Sequence, residues 1–121
     1  MPIKYVFSVE DELLKVTAHG KDDSFEEVMN YSRTIIEASR QHGCTKILCD
    51  ERHLQHAITA TDTYLLAENA SQHASYFSKV AIICHKRSLK EGKFYETVAS
   101  NRGLKILVTT DPTAALGWLD K

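Results

Sequence analysis

Lys79-Val80-Ala81-Ile82-Ile83-Cys84-His85 is the stretch on which the fold turns. Along an extended chain Val80, Ile82 and Cys84 point one way, and Ala81 and Ile83 point the other. Both sides are apolar, so the stretch reads as a strand covered on both faces, the pattern of a parallel sheet between layers. Leu104 to Thr109 repeats it, with Leu104, Ile106 and Val108 set against Leu107. Between these two strands, Ser88 and Glu91 have the spacing of a capping box. They open a helix through Phe94, Tyr95, Val98 and Ala99 that Gly103 stops.

Upstream, Thr45-Lys46-Ile47-Leu48-Cys49-Asp50 is a third strand, followed by a polar loop from Glu51 to Ile58. A helix then starts near Thr59 or Thr61 and ends around His73, with Asp62 three residues after Thr59 to complete a cap. Before the third strand, Ser24-Phe25-Glu26-Glu27 is another capping box. Phe25, Val28, Met29, Ser32, Ile35, Ile36 and Ser39 then share one helical face, and Gly43 closes the helix. At the start, Ile3, Tyr5 and Phe7 alternate with Lys4, Val6 and Ser8. Leu14, Val16 and Ala18 alternate with Lys15, Thr17 and His19 after a turn at Glu10-Asp11-Glu12. A connection this short makes an antiparallel hairpin. At the other end Asp111-Pro112 starts a short helix carrying Leu116, Trp118 and Leu119.

The expected architecture is α/β. A five-stranded, mainly parallel sheet opens with an antiparallel hairpin and carries four helices, in the order ββαβαβαβα, over 1–121 as one domain. Right-handed crossovers stepping in one direction put the helices on a single face. The doubly apolar fourth and fifth strands then require a second copy, or a displaced helix, to cover the other.

With 121 residues, 43% of them hydrophobic, the chain is long enough to bury about two-thirds of its unfolded surface without a metal or disulfide staple. A net charge of -1 lacks the basic excess of a nucleic-acid binder. No run approaches the length of a membrane span, and the first residues lack the apolar core of a signal peptide. Cys44, Cys49 and Cys84 are odd in number and form no Cys-x-x-Cys pair, which reads as reduced thiols in a cytoplasmic protein.

The whole chain resembles the STAS-like family, small bacterial domains related to sulfate-transporter and anti-sigma-factor-antagonist domains. The opening hairpin, Lys46-Ile47-Leu48-Cys49-Asp50-Glu51-Arg52, the segment from Phe94 to Gly103 and the closing Ala114-Ala115-Leu116-Gly117-Trp118-Leu119 carry the resemblance. These are packing and capping residues, so the resemblance implies fold before function. In the well-studied antagonists a serine after the third strand is phosphorylated, within an Asp-Ser pair followed by a small residue and Gly. Here that region is Ala57-Ile58-Thr59-Ala60-Thr61-Asp62-Thr63, and the phosphoswitch does not carry over.

Candidate site residues gather where open α/β sheets place ligands, at the carboxyl ends of the strands. They are Asp50, Arg52 and His53 after the third strand, Thr59 and Thr61 at the second helix start, and His85 after the fourth strand. Together they can hold an anionic group or a partner. Their plain structural roles are an Asp50–Arg52 pair that orders the loop and a threonine helix cap. His53 and His56, with Cys49 and Asp50 nearby, fall short of a metal-ligand set. The basic stretch Lys86, Arg87, Lys90 and Lys93 reads as a solvated face. No nucleophile elbow, Gly-rich phosphate loop or zinc motif is present. The expected function is a non-enzymatic, self-associating regulatory or interaction module, a homodimer without cofactor. It would present the third-strand end and second-helix start to a partner. The alternative is a carrier or sensor of a small-molecule or lipid-type ligand, its apolar body between helices and sheet or its anionic head near Arg52. An enzyme built on Asp50, His53 and Cys49 is the third reading.

Overall fold

A computed structural model describes residues 3–22 and 24–121, the side chains of Asp22 and His56 left aside. Strands β1 (Lys4–Glu10), β2 (Leu13–Asp22), β3 (Lys46–His56), β4 (Lys79–Cys84) and β5 (Ile106–Thr109) form one sheet in the order β1-β2-β3-β4-β5. The β1–β2 pair is antiparallel and the others are parallel. Helices α1 (Phe25–Gln41), α2 (Ala60–Ser71), α3 (Leu89–Asn101) and α4 (Pro112–Leu119) complete the expected element order.

The helix caps follow the sequence, with two corrections. Ser24 Oγ accepts from the Glu27 amide at 3.4 Å, but the Glu27 carboxylate accepts from the Ile3 amide at 3.2 Å and so ties β1 to α1. Ser88 makes no cap for α3. A 3-10 turn at Lys86–Ser88 precedes that helix, and His85 Nδ1 caps the turn by accepting from the Arg87 amide at 3.0 Å. The helix therefore receives its direction from the strand end, one turn earlier than the Ser88–Glu91 spacing suggests. At α2 the box is complete: Thr59 Oγ1 accepts from the Asp62 amide, and Asp62 Oδ2 accepts from the Thr59 amide.

The three crossover helices lie on one face, as right-handed connections between sequential strands demand. Their main core joins Leu14, Val16 and Ala18 of β2 to Ile35 and Ile36 of α1, Ala67 of α2 and Ala99 of α3. The fourth helix is different. It follows the edge strand β5 and connects to no further strand, so the crossover rule does not bind it. It folds over the opposite face, packing Ala115 and Leu119 on Leu48, Ala81 and Ile83. This is the displaced helix that the doubly apolar β4 requires. Two lysines hold it there. Lys46 Nζ donates to the Leu119 carbonyl at 2.9 Å, and Lys79 Nζ donates to the Trp118 carbonyl at 2.7 Å. Cations at a helix carboxyl end also complement its dipole.

The close approach of α3 to β5 needs glycine. A Cβ at Gly92 would stand 2.7 Å from Val108 Cγ1, closer than carbon atoms pack. The Glu96 carboxylate, further along α3, accepts from the Val108 amide at 2.6 Å.

The segment from Glu51, expected as loop, is strand through His56. β2 runs on to Asp22, and its last residues supply pairing partners: Gly20 opposes Leu54 and Asp22 opposes His56. Backbone groups that a loop would leave to water are thereby paired within the sheet.

Candidate functional site

The β2–β3 register decides which side chains reach the interior. Thr17 opposes Asp50 and His19 opposes His53, so β3 carries one more residue than β2 across this step. Such a bulge flips the inward and outward parity of the strand beyond it. Cys49 and Glu51 face the crossover helices by ordinary alternation. Without the bulge His53 would follow them inward. With it, Leu54 turns in, at 1% exposure, and His53 stays exposed.

Between the sheet and helices α1, α2 and α3 lies a cavity of about 160 Å³. Its walls are mainly aliphatic and aromatic, with Ile35, Ile47, Leu54, Leu66, Phe77 and Val108 among them. A polar group breaks this lining. Tyr31 donates its hydroxyl to Glu51 Oε2 at 2.9 Å, and the Glu51 side chain is almost wholly buried. Burial and then the neighbouring Glu51 charge push the Tyr31 phenol well above its ordinary range. The same two causes raise Cys49, Cys84 and Tyr95, all of which line the cavity. A second groove, lined by Gln55, Arg87, Ser88 and Glu91, shares Ser88 and Glu91 with the cavity. Arg87, Gln55 and Glu91 are exposed, so the cavity has a charged rim on that side.

The residues singled out from sequence are divided between the two faces. Asp50 opposes Ile83, which belongs to the α4 side. There Arg52 clamps it with both guanidinium arms, Nε to Oδ1 at 2.9 Å and Nη2 to Oδ2 at 2.7 Å. That pair holds the Asp50 carboxyl below its ordinary range, against a smaller opposing effect of burial. Its stabilising contribution is present above the ordinary carboxylate pKa and fades on acidification. His53 is exposed and stands opposite His19. Thr59 is the α2 cap, Thr61 is exposed in its first turn, and His85 caps the 3-10 turn. Thr59 and His85 are thus engaged in caps, and α2 lies across the sheet from the Asp50–Arg52 pair. Among the described residues no group of three His, Cys, Asp or Glu is placed to hold a metal. The His56 side chain lies outside the described residues.

Tyr31, Glu51, Leu54 and Tyr95, which shape the cavity, were not among the candidates. Glu51 and Leu54 sit in the segment expected as loop, and only the bulge places Leu54 inside. Strict alternation from Cys49 would have carried Glu51 inward.

Raised pKa values keep the three cysteines as thiols near neutral pH, since burial disfavours the thiolate. In folded protein at pH 8, a bulky charged thiol reagent is expected to leave Cys44, Cys49 and Cys84 essentially unmodified over minutes. In urea all three should react. Rapid labelling of Cys49 in the folded state would contradict this assignment.

No helix among the described residues is long and apolar enough to cross a membrane. No family model and no curated protein matches the chain. Among solved structures it is similar to an uncharacterised protein of the DUF3478 family with a SpoIIAA-like fold from Shewanella loihica PV-4. The TM-score is 0.61 at 18% identity, over 98% of this chain and 94% of that one. The sequential mixed sheet and its four helices are therefore the SpoIIAA-like, that is STAS-like, fold.

Proposed function

We propose that this protein is a non-catalytic STAS-like module that binds a small, mainly apolar molecule in the cavity between its sheet and its crossover helices. The cavity itself carries the reading. Protein interiors pack to crystal density and tolerate few voids. At about 24 cal/mol per Å³ for an enclosed void, a space of 160 Å³ that opens at one rim costs at most about 4 kcal/mol when unfilled. That is a large share of the 5–15 kcal/mol that holds a domain together. A resident ligand offsets this cost. A cavity of about 150 Å³ accepts benzene, which sets the scale of the occupant at a single ring or a chain of about six carbons. Tyr31, Glu51 and Tyr95 supply hydrogen-bonding groups for one polar end. A ligand with a carboxylate head would bring a second carboxyl beside Glu51, and two such groups in an apolar space do not both ionise. The favoured occupant therefore has a neutral head, such as an alcohol or amide.

The protonated, buried thiols and the two-arm Asp50–Arg52 pair support a binding role over a catalytic one. Native mass spectrometry of gently purified protein tests the reading. The expected spectrum contains a fraction with a discrete small-molecule adduct that is lost on unfolding. Bare chain alone, together with no uptake of added 1-hexanol, would overturn it.

Self-association, the second reading, is favoured by one observation: β1 ends the sheet, its outer edge has no strand neighbour among the described residues, and it carries exposed apolar side chains.

A further inference from the structure

Strand edges are normally blunted, because a row of free amides and carbonyls pairs readily with another chain. At one edge of this sheet the blunting is visible. β5 has only four residues, and its Val108 amide is already taken by Glu96. At the other edge it is confined to the charged residues at the two strand ends, Lys4 and Glu10. β1 has seven residues in an unbroken register with β2, without proline or bulge. Its exposed positions include Val6 at 71%, Phe7 at 42% and Val9 at 41%.

The direction of the free groups follows from the hairpin. Glu10 opposes Leu13 across a two-residue turn in which Asp11 has φ 54°. Residues flanking such a turn exchange their hydrogen bonds, and exchange alternates along an antiparallel pair. Ser8, Val6 and Lys4 therefore bond to β2 with Glu10. The amides and carbonyls of Tyr5, Phe7 and Val9 point out of the sheet.

These groups are self-complementary. We infer that β1 pairs antiparallel with β1 of a second copy of this chain, about a two-fold axis at Phe7. Phe7 then opposes Phe7 of the other copy, and Tyr5 opposes Val9 twice, so three residue pairs exchange bonds through groups already aimed outward. On the α4 face of the sheet the same register sets Lys4 against Glu10, and symmetry repeats this pair. Opposite charges directly across a strand pair stabilise it, and like charges oppose it. Glu10 also lies 3.3 Å from Lys15 in its own chain, but its side chain is 63% exposed and remains available to a second partner. An isologous contact of this kind closes on itself as a dimer. One ten-stranded sheet results, five strands from each copy.

The inference specifies the self-association reading and rests on it. Sedimentation equilibrium separates the two. Wild-type chain at about 100 µM is expected at twice its mass of 13.7 kDa. Phe7→Pro removes an outward amide that β2 does not use, and should give monomer with an unchanged circular-dichroism spectrum. Should Phe7→Pro perturb folding, Glu10→Lys, at an exposed site, serves instead. It places lysine against Lys4 and should weaken the dimer about tenfold, and Lys4→Glu added to it should restore association. A monomeric wild type overturns both readings. A dimer indifferent to the folded Phe7→Pro chain, or to the charge reversal, overturns the β1 pairing alone.

Discussion

Ser32→Phe is expected to weaken ligand uptake at least tenfold while leaving the protein at least as stable as the wild type. Ser32 lies on the buried side of α1, is only partly exposed, and lines the cavity. A phenyl ring has the bulk of the benzene that a space of about 150 Å³ accepts, so it would take up most of the 160 Å³ here. Filling an apolar void recovers contacts that the empty cavity forgoes. Serine and phenylalanine differ little in helix propensity, so the backbone has no reason to object. The measurement is competition for 1-hexanol, or for the native adduct, alongside thermal unfolding. Affinity should fall at least tenfold, which is about 1.4 kcal/mol, and the melting temperature should hold or rise. Undiminished binding in a well-folded Ser32→Phe protein would place the ligand elsewhere.

Leu14→Ala is expected to remove about 3 kcal/mol of folding free energy. Leu14 is fully buried near the start of β2, where it packs into the cluster shared by three helices. Its strand neighbours are Val9 of the edge strand β1 on one side and the buried Ile47 of β3 on the other, and the crossover-helix core closes over it, so the site has limited freedom to collapse. Buried leucine truncations cost 2.7–5.0 kcal/mol in such rigid surroundings. With an unfolding entropy of about 2.1 cal/mol/K per residue, that loss lowers the melting temperature by about 12 °C. Urea unfolding checks it, since the midpoint should fall while the slope holds. A cost under 1 kcal/mol would mean that the hairpin is not part of the central core.

The contrast between these two sites reflects what sequence conveys. Leu14 was legible because Leu14-Val16-Ala18 alternate cleanly, and burial follows directly from period. The helix starts at Ser24, Thr59 and Asp111 were legible because a cap needs specific side chains at fixed spacing. The doubly apolar Val80–Cys84 announced covered faces, though not which element does the covering. That depends on α4 being a terminal helix without a crossover to constrain it, and on the distant lysines 46 and 79 that receive its carboxyl end. The cavity was less legible. Its polar group sits on Glu51, in a stretch whose charge reads as loop, and its wall includes Leu54, whose direction is set by a bulge that only the partner strand reveals. Asp50, Arg52 and His53 drew notice by their chemistry, but odd and even positions around the bulge consign them to the other face.

If the space bounded by α1, α2, α3 and the sheet is a binding site, a small alcohol enters it and touches its walls. Titration of 15N-labelled protein with 1-hexanol, followed by amide chemical shifts, addresses it residue by residue. Saturable shifts are expected at Ile35, Cys49, Leu54 and Val108, with Thr17 and Arg52 on the opposite face left still. Shifts that grow linearly without saturation, or that gather away from those four residues, would contradict it.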